Sequence, residues 1–307
     1  MIDPQPTATV ELSIPHVAGM TARVQSPGRR ILRRFLSHRL AVIGAITLLV
    51  IAFCAIFAPL LAPAGPNTIN LVRIGKPPGG GALLGTDQVG RDVLSRILYG
   101  ARISLAVGIV AVAIYLVIGF VIGAVAGFFG GWVDSLLMRF TDVMLCFPTF
   151  VLILILVGIV GPNLSNVIFV IGLFGWPGVA RLARGQVLQL RTLDYVIAAR
   201  MLGGKRLYIL RRHILPNIVA PLIVAGTLGI AGAILTEASL SFLGLGVVQP
   251  TPSWGSMLNE ARSTAIIATK PWLWLAPGAA ISLTVLAANF IGDGLRDAFD
   301  VRGHTHL

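Results

Sequence analysis

Stretches free of Asp, Glu, Lys and Arg dominate the chain: 40–72, 103–133, 143–180, 213–236, 238–259 and 271–292. Roughly 20 apolar residues suffice to cross a bilayer as a helix. The third stretch is too long for one crossing, and Gly161-Pro162-Asn163 divides it, because proline lacks the donor a helix interior needs. The pattern predicts six spans, over about 40–61, 103–128, 143–160, 164–180, 217–236 (extending toward 245) and 272–292. The runs are continuous rather than alternating with period two, which argues against membrane strands.

Composition agrees. Of 307 residues, 56% are hydrophobic and 12% charged, with a mean hydropathy of +0.87; a soluble domain would carry about a quarter charged residues. The fold class expected is an all-α integral membrane protein. Four prolines in the first 39 residues precede or accompany Arg29, Arg30, Arg33, Arg34 and Arg39, directly before the first apolar run. That arrangement fits a retained signal-anchor better than a cleaved signal peptide, with residues 1–30 as a disordered cytoplasmic tail.

Charge sets the orientation. With the N-terminus inside, inner segments hold 17 Lys and Arg and outer segments 7, so both termini are placed in the cytoplasm. Topology thus accounts for most of the +12 formal charge, and a nucleic-acid role would need a soluble basic surface that the sequence does not supply. Cys54 and Cys146 stand singly in apolar runs and read as buried small side chains rather than a disulfide.

Three organisational units follow. Residues 31–102 form the first span and an external segment, 103–302 a five-helix core with a cytoplasmic loop at 181–216, and 303–307 a tail. In the external segment, LLGTDQVGRDVLSRILYGAR reads as an amphipathic surface helix capped by Thr86 or Asp87. Its apolar face would be Val89, Val93, Leu94, Ile97 and Leu98, with Asp87–Arg91 and Asp92–Arg96 as i,i+4 pairs. Gly119, Gly123 and Gly127 recur every four residues and mark a face for close helix packing in lipid. Glu237 is the one acid clearly inside a predicted span; it either touches a translocation path or is a structural residue bonded to neighbouring polar groups.

The inner loop DYVIAARMLGGKRLYILRRHILPN reads as two short helices. Asp194 can cap the first, Tyr195 to Leu202, which Gly203-Gly204 ends in a left-handed conformation. The second, Lys205 to Ile214, would carry Leu207, Leu210 and Ile214 on one face and stop at Pro216. Helices this short need a surface to pack on. Ala198 and Ala199 allow close approach, and Leu193, Tyr195 and Met201 can fill pockets in a partner.

The pattern Ala198-Ala199, Gly203, Leu215-Pro216 resembles the EAA loop of permease subunits of ABC importers, with Ile197 where the wider family has glutamate and His213 where it often has isoleucine. The YVxAAR…HILPN form, with LLGTDQVGRDVLSRILYGAR, ILTEASLSFLGLG, PTPSWGSMLNEAR and NFIGDGLRDAFDVR, resembles the C-type subunit of the dipeptide/oligopeptide branch. The resemblance implies the six-helix type I ABC importer permease fold in a bacterial or archaeal cytoplasmic membrane. It also implies a related second permease subunit, two ATP-binding subunits and an extracytoplasmic solute-binding protein. Asp194, Tyr195, Ala198, Ala199, Arg200, Gly203, Leu215 and Pro216 would then be the ATPase-coupling residues. The chain has no GxxxxGK[ST] loop, so ATP and Mg would be bound by the partners. No metal-ligand cluster or catalytic constellation stands out, His304 and His306 lying in the terminal tail. The function expected is import of dipeptides or oligopeptides, with nickel or another small solute as the alternative cargo. A self-sufficient secondary transporter would be expected to show several intramembrane ionisable groups or two similar halves.

Overall fold

Several helix boundaries in this chain fall at a proline or at a glycine with positive φ. The computed structural model describes residues 27–79 and 81–300; the expectations for 1–26 and 301–307, His304 and His306 among them, lie outside the described residues. From Pro27 the chain is already helical, in α1 (Pro27–Ser37). Then come α2 (Arg39–Ile56), α3 (Ala58–Leu61), α4 (Val93–Phe129), α5 (Gly131–Cys146), α6 (Thr149–Val160), α7 (Leu164–Phe174) and α8 (Trp176–Leu190). The loop helices α9 (Asp194–Met201) and α10 (Arg206–Ile209) lead into α11 (Leu215–Phe242), followed by α12 (Trp254–Glu260), α13 (Thr264–Thr269) and α14 (Trp272–Phe299). Isolated bridges occur, but no strand, among the described residues.

Five continuous helical stretches are long and apolar enough to cross a membrane: 39–56, 93–129, 164–190, 206–242 and 272–299. The pair α5 and α6, bent by 80°, supplies a sixth if it counts as one span. Six spans were expected, but their ends differ, each for a physical reason. The third is broken at Phe147-Pro148, because a residue before proline is driven out of the helical region; Phe147 has ψ 138. The fourth and sixth run on through charged residues, the sixth past Asp293 and Arg296 to Phe299; in the fourth, Arg184 donates to both Asp134 oxygens, at 2.5 and 2.7 Å, and Arg181 to Asp142 at 2.6 Å. Charges paired with α5 do not end a helix. The fifth begins at 206, not 217, because a π-helical turn over Leu210–Ile214 carries the chain into Pro216; the wider turn accommodates a residue that cannot donate an ordinary helical bond.

The expected surface helix before the second span is not separate. Gly85 and Gly90, at φ +77 and +83, hold 85–92 as a turn, where a Cβ on Gly90 would stand 2.1 Å from the Asn70 carbonyl oxygen. Helix α4 starts only at Val93, capped by Asp92, whose Oδ2 accepts from the Ser95 amide at 2.7 Å, rather than by Thr86 or Asp87. Asp92 is thus used as a cap, and Arg96 turns elsewhere. Its guanidinium donates to Asp87 at 2.7 Å and twice to Glu260 at 2.8 Å, while Arg91 donates to Asp87 at 2.6 Å and Glu260 at 2.8 Å. Two cations and two anions, largely buried, thereby fasten the loop before α4 to the end of α12.

Helix α4 is the central post, about 55 Å long at 1.5 Å per residue. Gly119, Gly123 and Gly127 meet α8: Cβ atoms there would lie 2.6 Å from Val179 Cβ, 2.2 Å from the Ala180 oxygen and 2.8 Å from Val187 Cβ. Its contacts with α11 run the opposite way, Gly108 against Ile234 and Tyr115 against Gly229. The loop carrying α9 therefore sits at the C-terminal end of α4 and the ion network at its N-terminal end. Cys54 is half-buried and Cys146 exposed, both free; neither is the fully buried side chain expected.

Candidate functional site: the loop carrying α9

The chain leaves α8 through a turn moored to the end of α4, where Arg191 Nη1 donates to the Gly127 oxygen at 3.1 Å. Helix α9 has Leu193 as its N-cap and no side-chain capping bond. Asp194 is its first residue, favourable there as a negative charge in the first turn, but not the cap expected. Val196 is completely buried and joins Ala124, Val187, Ile209, Ile214 and Ile218, with Ala199 half-buried on the same cluster. Gly203, at φ +81, closes the helix, and the Gly203 and Gly204 amides donate to the Arg200 and Ala199 oxygens, both at 3.0 Å. A two-turn helix is thus rooted in the bundle by one face, as a helix too short to stand alone requires.

The other face is bare. Met201 is 84% and Leu202 88% exposed, with Tyr195, Ile197, Ala198, Arg200, Leu207, Tyr208 and Pro216 also exposed and Leu215 half-buried. Of the stripe expected as Leu207, Leu210 and Ile214, Ile214 is fully buried and Leu210 half-buried on the same cluster, while Ile209 takes the buried position expected of Leu207. Leu207 and Tyr208 are thereby released to the surface. Leu202 and Tyr208 had no signal beyond being apolar beside basic residues. His213 lies between two tyrosine rings, 6.0 Å from Tyr195 and 5.8 Å from Tyr208 between centroids, tying α9 to the start of the fifth span. Behind α9 a cleft of about 670 Å³ is lined by Phe128, Phe129, Arg191, Arg200 and Arg206.

Glu237 is elsewhere, toward the opposite end of the bundle. It is fully buried; Ser241 Oγ donates to it at 2.7 Å and Ser104 Oγ at 3.3 Å. Ser104 Oγ in turn accepts from the Trp254 amide at 3.4 Å. The acid joins α4, α11 and the start of α12 through hydroxyls, with no cation bound to it among the described residues. An open cleft of about 540 Å³ lies nearby, lined by Phe150, Leu235, Ser239, Phe242, Leu258 and Ser282. Among the described residues no three His, Cys, Asp or Glu side chains are grouped to hold a metal ion.

Comparison with known proteins bears on this arrangement. Residues 116–303 match the family described as binding-protein-dependent transport system inner membrane component, and residues 26–78 match the N-terminal TM domain of oligopeptide transport permease C. A putative peptide permease protein of Brucella suis is 45% identical over 276 residues, 90% of this chain and 91% of that one. The glutathione transport system permease protein of Pectobacterium atrosepticum is 44% identical over 278 residues, 90% and 92% of the two chains. The dipeptide transport system permease protein of Alkalihalophilus pseudofirmus is 43% identical over 275 residues, 90% of each. With its all-helical, multi-span fold, the chain belongs to the binding-protein-dependent transport system inner membrane component family, the permeases of ABC importers.

Proposed function

We propose that this chain forms half of the translocation pathway of an ATP-driven importer of dipeptides or oligopeptides in a bacterial cytoplasmic membrane. The observation that carries the coupling role is the tip of α9, where Met201 and Leu202 are exposed while Val196 roots the helix in the core. Apolar side chains held out on a rigid mount fit a docking partner. That partner is one of two ATP-binding subunits, which hold ATP and Mg. Both termini lie on that side. The other half of the pathway belongs to a related second permease subunit, and the cleft beside Phe150, Ser239 and Ser282 is this chain's share of it. A solute-binding protein delivers peptide at the end where residues 62–92 lie. Closure of the ATP-binding subunits moves α9 as a lever, and it shifts the bundle between its two states only through contacts that differ between them. The peptide class is supported by the names of the relatives.

The test uses Met201→Asp combined with Leu202→Asp. Both side chains are exposed, so the variant should reach the membrane at the normal level yet lose uptake of labelled dipeptide in a strain without other peptide importers. Binding-protein-stimulated ATP hydrolysis by the reconstituted complex should fall with it. Normal uptake by this variant would remove the coupling role, and nickel uptake in place of dipeptide uptake by the unaltered protein would change the cargo.

A further inference from the structure

Helix α1 is divided lengthwise. At about 100° per residue, Ile31, Leu32, Phe35 and Leu36 fall on one side and Arg29, Arg30, Arg33 and Arg34 on the other. One edge of the apolar side packs on the protein: a Cβ on Gly294 of α14 would meet the Phe35 ring at 3.5 Å. The other edge is bare, with Leu32 56% and Leu36 58% exposed. Leu40, Ile43 and Ile46 of α2 are exposed as well, on a span that buries only 17% of its apolar window, and the extended His38, at φ −85 and ψ 97, breaks the helix between the two. Helix α1 therefore stands a single residue away from a span whose exposed face meets hydrocarbon.

The arginines have little else to bind. Arg34 Nη1 donates to the Asp300 backbone oxygen at 2.9 Å, and Asp297 of α14 faces His38, 3.6 Å from its Nε2. Among the described residues no carboxylate is paired with Arg29, Arg30 or Arg33. The chain has no acidic residue at all between Glu11 and Asp87. A helix with exposed leucines just before a lipid-facing span, and unpaired arginines around the rest, has the chemistry of an interfacial helix on an anionic surface.

We propose that α1 lies in the bilayer interface, with Leu32 and Leu36 immersed beside α2, and that Arg29, Arg30 and Arg33 bind the phosphodiester headgroups of anionic phospholipids. The place of α1, directly before a span whose exposed face meets hydrocarbon, selects lipid over an acidic protein as occupant, since a protein partner would have to displace the bilayer from Leu32 and Leu36. Arginine suits the task through its fixed fork of donors, which matches phosphate oxygens. This site does not depend on peptide transport, and its test does not measure transport.

The full chain is placed in bilayer discs of phosphatidylcholine mixed with phosphatidylglycerol, and the lipids that leave with it are counted by native mass spectrometry. The unaltered protein should retain phosphatidylglycerol in preference to phosphatidylcholine, and the preference should fade as salt is raised. Replacing Arg29, Arg30 and Arg33 by Gln should weaken the preference by up to about fivefold per charge removed at low ionic strength. The triple Lys variant should keep most of it, and Leu32→Ser with Leu36→Ser should lose part of it with every arginine in place. Equal phosphatidylglycerol retention by the Gln variant and the unaltered chain, or a preference indifferent to salt, would overturn the proposal. So would loss of a co-purifying protein, rather than of lipid, from the Gln variant.

Discussion

Arg96 at the start of α4 and Glu260 at the end of α12, 164 residues apart, face each other through two 2.8 Å hydrogen bonds. Arg96 is 1% exposed, so the pair works in a poorly hydrated site where removing one partner leaves the two-cation, two-anion network with an unbalanced charge. Breaking such a pair costs about 3–5 kcal/mol. Arg96→Ala and Glu260→Ala should each lower the thermal midpoint of the detergent-solubilised chain markedly. Because both act on one network, the double variant should lose much less than the two losses added. Additive losses would show that the two groups are not coupled.

Acid should attack the same network through Asp87. Burial alone would raise its pKa, but the Arg91 amide and guanidinium and the Arg96 guanidinium together bring it below its usual 3.8. A carboxylate depressed on folding stabilises above its unfolded value, and that stabilisation is lost as pH falls through the folded value. Thermal stability should therefore hold from neutral pH to about 4 and decline below it. Asp87→Asn should start lower and lose this part of the acid dependence. An unchanged acid profile in the Asn variant would assign the decline to other carboxylates.

Substitution at Gly123 should separate α4 from α8. A Cβ there would lie 2.2 Å from the Ala180 oxygen, a backbone atom that cannot turn aside. Overpacking of this kind costs typically 1–3 kcal/mol, so Gly123→Val should reduce the folded fraction recovered after extraction. Gly158 of α6 is the control, since a Cβ there meets nothing within 4 Å. Gly158→Ala should be neutral or slightly stabilising, because alanine is the better helix former by about 1 kcal/mol.

What could be read in advance divides along physical lines. The apolar runs announced the membrane class and five of the six spans, the sixth depending on whether the bent pair α5 and α6 counts as one, because hydrocarbon imposes a length on any helix that crosses it. Charge is no reliable stop for a span: Arg181 and Arg184 continue α8 because Asp142 and Asp134 wait on α5, and no local pattern reports a partner 39 or 50 residues away. Pro216 misled for a different reason, since the π turn before it is a backbone adjustment without a side-chain signature. In the loop, Gly203 declared its left-handed turn, whereas Leu202 and Tyr208 became visible as surface only once Val196, Ile209 and Ile214 had taken the buried positions.

Glu237 should tolerate loss of charge but not loss of its oxygens. Its two oxygens accept from Ser241 and Ser104; a glutamine can accept from one hydroxyl through its carbonyl and donate to the oxygen of the other through its amide. Glu237→Gln should give uptake equal to that of the unaltered protein at every pH tested. Glu237→Leu leaves buried hydroxyls unpaired, at about 1–3 kcal/mol, and should loosen the attachment of α12. Uptake that falls in the Gln variant and changes its pH dependence would instead place the carboxylate's charge in the transport cycle.

The proposed topology can be tested at two exposed side chains at opposite ends of the bundle. Val72 is 85% exposed in the segment before α4 and Leu202 is 88% exposed at the tip of α9, so a cysteine at either place meets solvent without disturbing a core. Ser253, by contrast, is fully buried and caps α12, which makes it unfit as a reporter although it lies in a polar segment. With Cys54 and Cys146 replaced by alanine, Val72→Cys should react with an impermeant thiol reagent in intact cells. Leu202→Cys should react only after the membrane is opened. Positive-inside counting predicts the Arg-rich loop in the cytoplasm, where the proposed ATP-binding subunits would reach α9. Labelling of Leu202→Cys in intact cells, with protection of Val72→Cys, would invert the protein in the membrane and remove the coupling role together with the orientation.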